Sequence, residues 1–159
     1  MKFETLDTKK HDRKNFDCGV KALNIYLQRF ANQDQKRSLT KVYLLTDQDK
    51  IIAYYTLSAH SVLRNDLPID TKSGSYAEVP FLLLGRLAVD KSCQGNGFGD
   101  MLLVHAFKNT KQAAEKIGIL GIIVDAKDDR AFSFYQGFGF KPLNITKNRL
   151  VLPITAMEF

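Results

Sequence analysis

The sequence predicts a protein of the α/β (α+β) class, in which strands and helices alternate along a single domain of residues 1–159. Two stretches support this prediction. The apolar run Phe81–Val89 leads through the glycine-rich segment Gln94–Gly99 into an amphipathic stretch. A second apolar run, Ile119–Val124, leads into a short helical pattern around Tyr135 that ends at glycine. Apolar runs that pass through turns into amphipathic stretches are typical of strands joined to helices in one sheet.

The first part of the chain predicts a strand, a helix and a hairpin. Phe3–Leu6 is a weak first strand, and Asp17 is the expected N-cap of the helix. The apolar positions of that helix recur at helical spacing, at Val20, Leu23, Leu27, Phe30 and Ala31. A polar connection, Asn32–Thr40, precedes two strands, Val42–Thr46 and Ile51–Ser58, which are joined by a turn at Asp47-Gln48-Asp49-Lys50.

The second part begins with a long irregular segment, Leu63–Glu78, whose length indicates a functional or mobile loop. Val79–Val89 is the predicted central strand. Asp100–Lys116 is the next helix, with Leu103, Phe107, Ala114 and Ile117 facing inward and Gly118 at its end. The remaining predicted elements are a strand at Ile119–Asp125, the Tyr135 helix ending in a left-handed cap at Gly137, a strand at Phe138–Pro142, a turn at Asn144–Asn148 and a strand at Leu150–Met157.

Composition narrows the class of protein. The 159 residues are 45% hydrophobic and 25% charged, which is typical of a globular domain. No apolar stretch approaches the roughly 20 residues of a membrane span, and the start Met1–Thr5 has no apolar signal region, so we expect a cytoplasmic protein. Two cysteines cannot form a disulfide framework, and the three histidines lack nearby ligands, so we expect no metal. The net charge of +6 favours polyanionic partners.

The segment Gln94–Gly99 predicts an anion site. The first backbone N–H groups of a helix have no intrahelical partner, and glycines let an anion approach the backbone closely. The spacing excludes a dinucleotide loop, because Asp100 stands where the last glycine of G-x-G-x-x-G is required. No G-x-x-x-x-G-K-[ST] run exists for a nucleotide-triphosphate loop. An ordinary tight turn remains the alternative.

The order Gln-x-x-Gly-x-Gly closely resembles the acyl-CoA pyrophosphate loop of the GNAT superfamily of N-acetyltransferases. A second family pattern, N-x-x-A-x-x-[FL]-Y-x-x-x-G-F, is matched at Ala131, Phe134, Tyr135, Gly139 and Phe140. Asp128 stands where the family usually has Asn, so its contact with the cofactor arm is the weakest part of the match. The resemblance is strongest over Leu82–Phe140.

The resemblance implies the GNAT fold, a mixed twisted sheet of six to seven strands with helices on both faces, and acetyl-CoA as cosubstrate. It implies that the pantetheine arm pairs with the main chain of the central strand and that the pyrophosphate lies on the glycine loop. The cofactor-binding residues would be Leu87, Ala88, Val89, Gln94, Gly95, Asn96, Gly97, Phe98, Gly99, Asp128, Ala131 and Phe134. Tyr135 would protonate the departing thiolate after direct attack by an amine. Glu78 and His60 are candidates for a general base, with a structural role as the alternative for each.

Three further segments are similar to the GNAT toxins of bacterial toxin–antitoxin modules. These are Phe16–Leu27, Ile52–Ser58 and Gly85–Asp90, although Ala53 replaces a usual glycine. This resemblance implies acetylation of the α-amine of aminoacyl-tRNA, a ribbon-helix-helix antitoxin as partner, and a homodimer. The basic residues that we expect to contact tRNA phosphates are Lys36, Arg37, Arg64, Arg86, Lys91, Lys147 and Arg149, with solvated surface charge as the alternative for each.

Two other functions stay open at this point. The protein could acetylate a small amine, a protein N-terminus or a lysine, in which case it would have no effect on translation. It could also be a non-catalytic module that binds CoA, although the presence of both Tyr135 and the Gln94–Gly99 loop counts against that.

Overall fold

A computed structural model describes all of residues 1–159. Its seven strands are β1 (Lys2–Thr5), β2 (Lys41–Asp47), β3 (Lys50–Leu63), β4 (Glu78–Val89), β5 (Gly121–Asp125), β6 (Lys141–Pro142) and β7 (Arg149–Pro153). Its helices are α1 (Lys21–Ile25), α2 (Ala31–Lys36), α3 (Phe98–Ala114) and α4 (Asp129–Gly137), and a π-helical segment at Tyr26–Phe30 joins α1 to α2. Short 3₁₀ turns lie at Arg64–Asp66, Lys91–Cys93 and Ile154–Ala156.

The seven strands form one mixed sheet in the order β1-β2-β3-β4-β5-β7-β6. The pairs β1–β2, β2–β3, β5–β7 and β6–β7 are antiparallel, whereas β4 and β5 are parallel. The β2–β3 hairpin closes Asp47 on Lys50 through a two-residue turn in which Gln48 has a φ of 56°. The predicted fold class and the predicted hairpin are both confirmed.

The chain forms two compact units, each with its own apolar core. The first unit is Met1–Ser58 with Gly85–His105, and the second is Ala59–Leu84 with Ala106–Phe159. Among the core residues of the first unit are Leu27, Val42, Leu44, Tyr54 and Ala88. Among those of the second are Val62, Val79, Phe81, Ile123 and Val151. The single domain over 1–159 stays a prediction.

The predicted N-cap at Asp17 is wrong. The chain turns at Gly19, which has a φ of +87°, and the N-cap of α1 is Val20, which has no side-chain cap. Asp17 instead lies in the turn before the helix, where its Oδ1 accepts hydrogen bonds from the Gly19 N–H and the Asn24 amide, each at 2.9 Å.

The π-helical segment changes which residues of the first helical region face the core. Tyr26, Leu27 and Ala31 are buried, whereas Phe30, predicted to face inward, is 51% exposed. A π turn holds one more residue than an α turn, so the uniform helical spacing assumed from the sequence fails here.

The predicted connection after this region starts too early, because α2 continues to Lys36. The Gln35 side chain anchors this polar helix, since it donates to the Leu6 carbonyl at 3.2 Å and accepts from the Val42 N–H at 3.0 Å.

Several boundaries in the second half also differ from the prediction. Helix α3 begins at Phe98 and ends at Ala114, so Ile117 lies beyond the helix and is 61% exposed. Gly137 is the last residue of α4, and the left-handed residue is Gly139, with a φ of +95°. The last two strands are shorter than predicted, at Lys141–Pro142 and Arg149–Pro153. None of the helices is both long and apolar enough to cross a membrane.

Candidate functional site

The glycine loop Gln94–Gly99 connects the end of β4 to the start of α3 and is open to solvent. Gly95 and Gly97 both have left-handed backbone, with φ values of 80° and 81°. A Cβ atom built on either glycine would meet no atom of the protein within 4 Å. The backbone on this side is therefore free to receive a ligand, which agrees with the close approach that the sequence predicts for a phosphate.

The start of α3 supplies the donors for such a ligand. The first backbone bond onto the helix runs from the Met101 N–H to the Gly97 carbonyl at 3.2 Å. The amides of Phe98, Gly99 and Asp100 precede that bond, and such amides, at the positive end of the helix dipole, bind anions. The loop thus fits a pyrophosphate, through backbone N–H groups rather than through side chains.

The two amide side chains of the loop hold its shape. Gln94 Nε2 donates to the carbonyls of Cys18 and Val89, each at 2.9 Å. Asn96 Nδ2 donates to the Cys93 carbonyl at 3.0 Å. Both side chains are thereby engaged with backbone oxygens of the protein, so their contribution to ligand binding is to fix the loop backbone. Direct cofactor contacts by these two residues stay a prediction.

The last residues of β4 extend past its parallel partner. The pairing of β4 with β5 runs from Phe81 opposite Gly121 to Leu84 opposite Val124. Leu87, Ala88 and Val89 lie beyond that ladder; Ala88 is buried in the core of the first unit and its two neighbours are half-buried. Pairing of a pantetheine arm with this stretch of main chain stays a prediction.

Asp90, at the end of β4, is a site residue that sequence reasoning missed. Its buried carboxylate accepts hydrogen bonds from the Asp17 N–H at 3.0 Å and from the Ser92 N–H and hydroxyl at 3.1 and 2.6 Å. Burial alone would raise the pKa of Asp90, but these donors hold it below its usual value. The only signal in the sequence was an aspartate at the end of the segment Gly85–Asp90. Its partner Asp17 lies 73 residues away in the chain, so a local sequence pattern could not reveal the contact.

In the second unit, Asp128 caps α4. Its Oδ1 accepts a hydrogen bond of 2.8 Å from the Ala131 N–H, and Asp128 itself has extended backbone, as an N-cap requires. Asp128 was predicted to bind the cofactor, and its carboxylate is occupied by this cap. A capping role suits Asp as well as Asn. The cofactor contacts of Asp128, Ala131 and Phe134 stay predictions.

Tyr135 is held rigidly by aromatic neighbours. Its ring lies 5.3 Å from that of Phe134 and 5.5 Å from that of Phe140, measured between centroids. The residue is only 5% exposed. Burial, and then the charge of Asp125, raise the pKa of Tyr135 well above its usual value. The phenol is therefore a protonated donor at neutral pH.

The two candidate bases differ in their surroundings. The Arg149 guanidinium donates from Nη1 to His60 Nε2 at 3.0 Å. A guanidinium has no acceptor, so in this contact His60 Nε2 is the acceptor and is occupied by Arg149. Glu78 is exposed, at the first residue of β4.

The predicted tRNA-contacting cations fall into two groups. Lys36, Arg37 and Lys147 are exposed, as are Arg64, which donates to the Gly74 carbonyl, and Lys91, which pairs with Asp17. Two others are engaged within the protein. The Arg86 guanidinium lies 3.4 Å from the centroid of the Tyr26 ring, and Arg149 is bound to Asp125. Their contacts with tRNA stay predictions. No cluster of His, Cys, Asp and Glu side chains is suited to hold a metal ion.

The chain was compared with known proteins. An acetyltransferase (GNAT) domain matches residues 38–142. The chain is 29% identical over 167 residues to a probable toxin TacT of Sinorhizobium fredii, covering 98% of this chain and 92% of that protein. It is 33% identical over 130 residues to a tRNA-acetylating toxin of Mycobacterium tuberculosis, covering 82% of this chain and 78% of that protein.

Among solved structures, AtaT in complex with acetyl-methionyl-tRNAfMet matches with a TM-score of 0.91 and 33% identity, covering 98% of this chain and 95% of that one. A tyrosine-to-phenylalanine mutant of the AtaT toxin, bound to acetyl-CoA and the C-terminus of the antitoxin AtaR, matches with a TM-score of 0.84 and 30% identity over 98% and 94% of the two chains. The mixed sheet, the open glycine loop before α3 and these similarities agree with one another, and the chain belongs to the GNAT acetyltransferase family.

Proposed function

We propose that this acetyltransferase uses acetyl-CoA to acetylate the α-amine of aminoacyl-tRNA and so blocks translation as a toxin. The observation that carries the use of acetyl-CoA is the exposed left-handed pair Gly95 and Gly97 ahead of the first amides of α3. The choice of acceptor is supported by the tRNA-acetylating relative and by AtaT in complex with an acetylated aminoacyl-tRNA. The charge of +6 suits a polyanionic substrate.

In the proposed reaction the amine attacks the thioester carbonyl carbon directly. An amide bond forms, the carbon–sulfur bond breaks, and sulfur leaves as a thiolate. Tyr135 donates a hydrogen bond from its hydroxyl to the departing sulfur and shares its proton with the developing thiolate, which is then protonated from solvent. The phenol is protonated at neutral pH, as a donor must be, but burial raises its pKa further above that of a thiol, so the hydrogen bond itself, rather than complete proton transfer, stabilises the leaving group. The rest of catalysis is positioning of the two reactants.

No strong general base is required. The α-amino group has an ordinary pKa of about 8, so a useful fraction of the attacking amine is neutral near pH 7. A mechanism without a general base agrees with the contacts of His60, whose Nε2 accepts a hydrogen bond from Arg149. The proton released from the attacking nitrogen passes to solvent.

We also propose a ribbon-helix-helix antitoxin as partner, a homodimer, and action in the cytoplasm, where charged tRNA is found. The structure of the AtaT toxin bound to the C-terminus of an antitoxin, AtaR, supports an antitoxin as the partner of this chain. A short ribbon-helix-helix reading frame beside the gene, and a sedimentation mass of twice 18.0 kDa for the free protein, are the observations to make.

The function is tested with labelled acetyl-CoA and a full tRNA pool. Label is expected on charged tRNA, on the amino acid, and not on the same pool after deacylation. Expression of the wild type is expected to arrest growth, and Tyr135→Phe to relieve the arrest. Label on small amines or protein N-termini instead would replace the tRNA with that acceptor. Binding of acetyl-CoA without transfer to any acceptor would indicate a non-catalytic module.

A further inference from the structure

We infer that Asp90 is a positioning residue for acetyl-CoA, which braces the glycine loop against the segment Asp17–Cys18 and so holds the pyrophosphate-binding amides in place. This inference rests on the proposed binding of the pyrophosphate at the loop. We use the word brace for the hydrogen-bonded groups of Asp17, Cys18, Asp90, Lys91, Ser92 and Gln94. All six residues lie in the first unit.

The brace consists of hydrogen bonds between two segments that are distant in sequence. The Asp17 N–H donates to Asp90 Oδ1 at 3.0 Å, and the Asp17 carbonyl accepts from the Lys91 N–H at 2.8 Å. The Cys18 carbonyl accepts from Gln94 Nε2 at 2.9 Å. Three backbone groups of the 17–18 segment, the Asp17 N–H and the carbonyls of Asp17 and Cys18, are therefore bound to the junction of β4 with the glycine loop.

The 17–18 segment is a firm support because Phe16, which precedes it, and its own Cys18 are both buried in the core. Phe16 is 2% exposed and Cys18 8% exposed, and the Phe16 ring packs edge-on against Tyr54 with centroids 5.5 Å apart. On the other side, the Asp90 N–H donates to the Ile52 carbonyl of β3 at 2.8 Å. Both ends of the brace are thus tied to rigid elements.

The carboxylate of Asp90 is required in its ionised form. Its Oδ2 accepts two hydrogen bonds from Ser92, and its Oδ1 accepts a third from Asp17. An asparagine in the same place has one acceptor oxygen, so its NH₂ group would face either the Asp17 N–H or the Ser92 donors. The 3₁₀ turn Lys91–Cys93, which Asp90 caps and which leads directly into Gln94, would then lose part of its support.

Asp66 offers a matched control in the second unit. It is 6% exposed against 7% for Asp90, and its carboxylate also accepts from two backbone N–H groups and one hydroxyl, those of Ile145 and Thr146. Asp66→Asn therefore imposes the same chemical change on a comparable buried carboxylate, without touching the brace.

The experiment compares two thioesters. Acetyl-CoA carries the pyrophosphate, whereas S-acetylpantetheine carries the same reactive end without pyrophosphate or nucleotide. Dissociation constants are measured by calorimetry for the first and by ligand-observed NMR for the second. In Asp90→Asn we expect acetyl-CoA to bind about tenfold more weakly, with S-acetylpantetheine within about twofold of wild type. A general loss of fold would weaken both ligands, so the ratio of the two constants isolates positioning.

Asp66→Asn should leave both dissociation constants unchanged while lowering the thermal midpoint. If Asp90→Asn does not yield folded protein, Ser92→Ala serves instead, since it removes one of the three bonds and should shift the ratio in the same direction by a smaller factor. An unchanged ratio in folded Asp90→Asn, or an equal change in Asp66→Asn, would overturn the inference. A wild type that shows no preference for acetyl-CoA would instead overturn the proposed pyrophosphate site.

Discussion

The guanidinium of Arg149 donates two parallel hydrogen bonds to the carboxylate of Asp125, 2.7 Å from Nε to Oδ1 and 3.0 Å from Nη2 to Oδ2. The Asp125 hydrogen bond, opposed by burial, raises the pKa of Arg149 above its already high value. Two-point pairs of this kind fix both side chains in one geometry. With the guanidinium fixed in this way, Arg149 Nη1 is aligned on His60 Nε2. The Asp125 carboxylate is fixed as well, and its negative charge raises the pKa of Tyr135. Its structural bonds compete with the tRNA contact that the sequence predicts.

Replacement of Arg149 should therefore act first on stability. Arg149→Gln leaves the half-exposed Asp125 carboxylate without its two-point partner, and we expect a loss of about 0.5–1.5 kcal/mol in the free energy of unfolding by urea denaturation. Lys147→Gln is the control, since Lys147 is exposed and its loss should leave that free energy unchanged. An Arg149→Gln variant that keeps full stability but binds tRNA weakly would return Arg149 to the set of free phosphate-binding cations.

Gly97→Ala should weaken acetyl-CoA binding. The added Cβ would point into the space where the pyrophosphate is proposed to lie, and we expect a dissociation constant raised by about tenfold or more by calorimetry. Left-handed backbone costs an alanine roughly 1 kcal/mol of stability. Gly74→Ala controls for this cost, because Gly74 has a φ of +72° and equally open surroundings. Equal acetyl-CoA affinities in the two variants would exclude a pyrophosphate at Gly97.

Tyr135→Phe should lower kcat while leaving acetyl-CoA affinity nearly intact. The change removes the hydroxyl but keeps the ring between Phe134 and Phe140, so packing is preserved. A general acid typically contributes about 10²–10⁴ in rate, and a loss in that range is expected in single-turnover transfer. Retention of most of the rate would leave Tyr135 with a packing role alone.

Local patterns in the sequence were sufficient for much of the fold and site. The succession of strands and helices along the chain, the glycine loop and the Tyr135 helix depend on apolar periodicity and on glycine, which act over a few residues. The π segment at Tyr26–Phe30 was not predictable, because an extra residue in a helical turn leaves no compositional mark. The brace at Asp90 and the Asp125–Arg149 pair were missed for another reason, since their partners come together only in the folded chain.

The stability of the protein should fall in acid. Five carboxyl groups have folded pKa values below their usual range, those of Glu4, Asp17, Asp66, Asp70 and Asp90, and of these Glu4, Asp66 and Asp90 are the least exposed. The pKa of Glu4 is lowered by hydrogen bonds, most by the one from Lys10, then by that from Thr46 and then by that from His11. Burial raises the pKa values of Asp66 and Asp90, but their hydrogen-bond donors together lower these values by more.

A depressed folded pKa means that the stabilisation is complete above the unfolded pKa of about 4 and is lost as the pH falls through the folded value. The free energy of unfolding should therefore be flat from about pH 7 to pH 5 and decline below about pH 4.5. Glu4→Gln removes one of these groups, so it should be less stable than wild type at pH 7 and show a shallower decline. A parallel decline in both proteins would mean that Glu4 does not contribute.

Binding of charged tRNA should depend steeply on salt, and the exposed cations at the end of α2 should account for part of that dependence. Neutralised phosphates release counterions, so log K falls linearly with log salt concentration. Lys36 and Arg37 are adjacent and exposed, so the double variant Lys36→Gln with Arg37→Gln should reduce the slope by about 1–2 and weaken binding to all tRNAs alike.

The control neutralises Lys108 and Lys116, two exposed lysines of equal charge that are not among the predicted contacts. Equal slopes for the two double variants would show that net charge alone attracts the tRNA. A reduced slope for Lys36 and Arg37 only would place phosphates at the end of α2, because general attraction by the +6 chain is lowered equally in both.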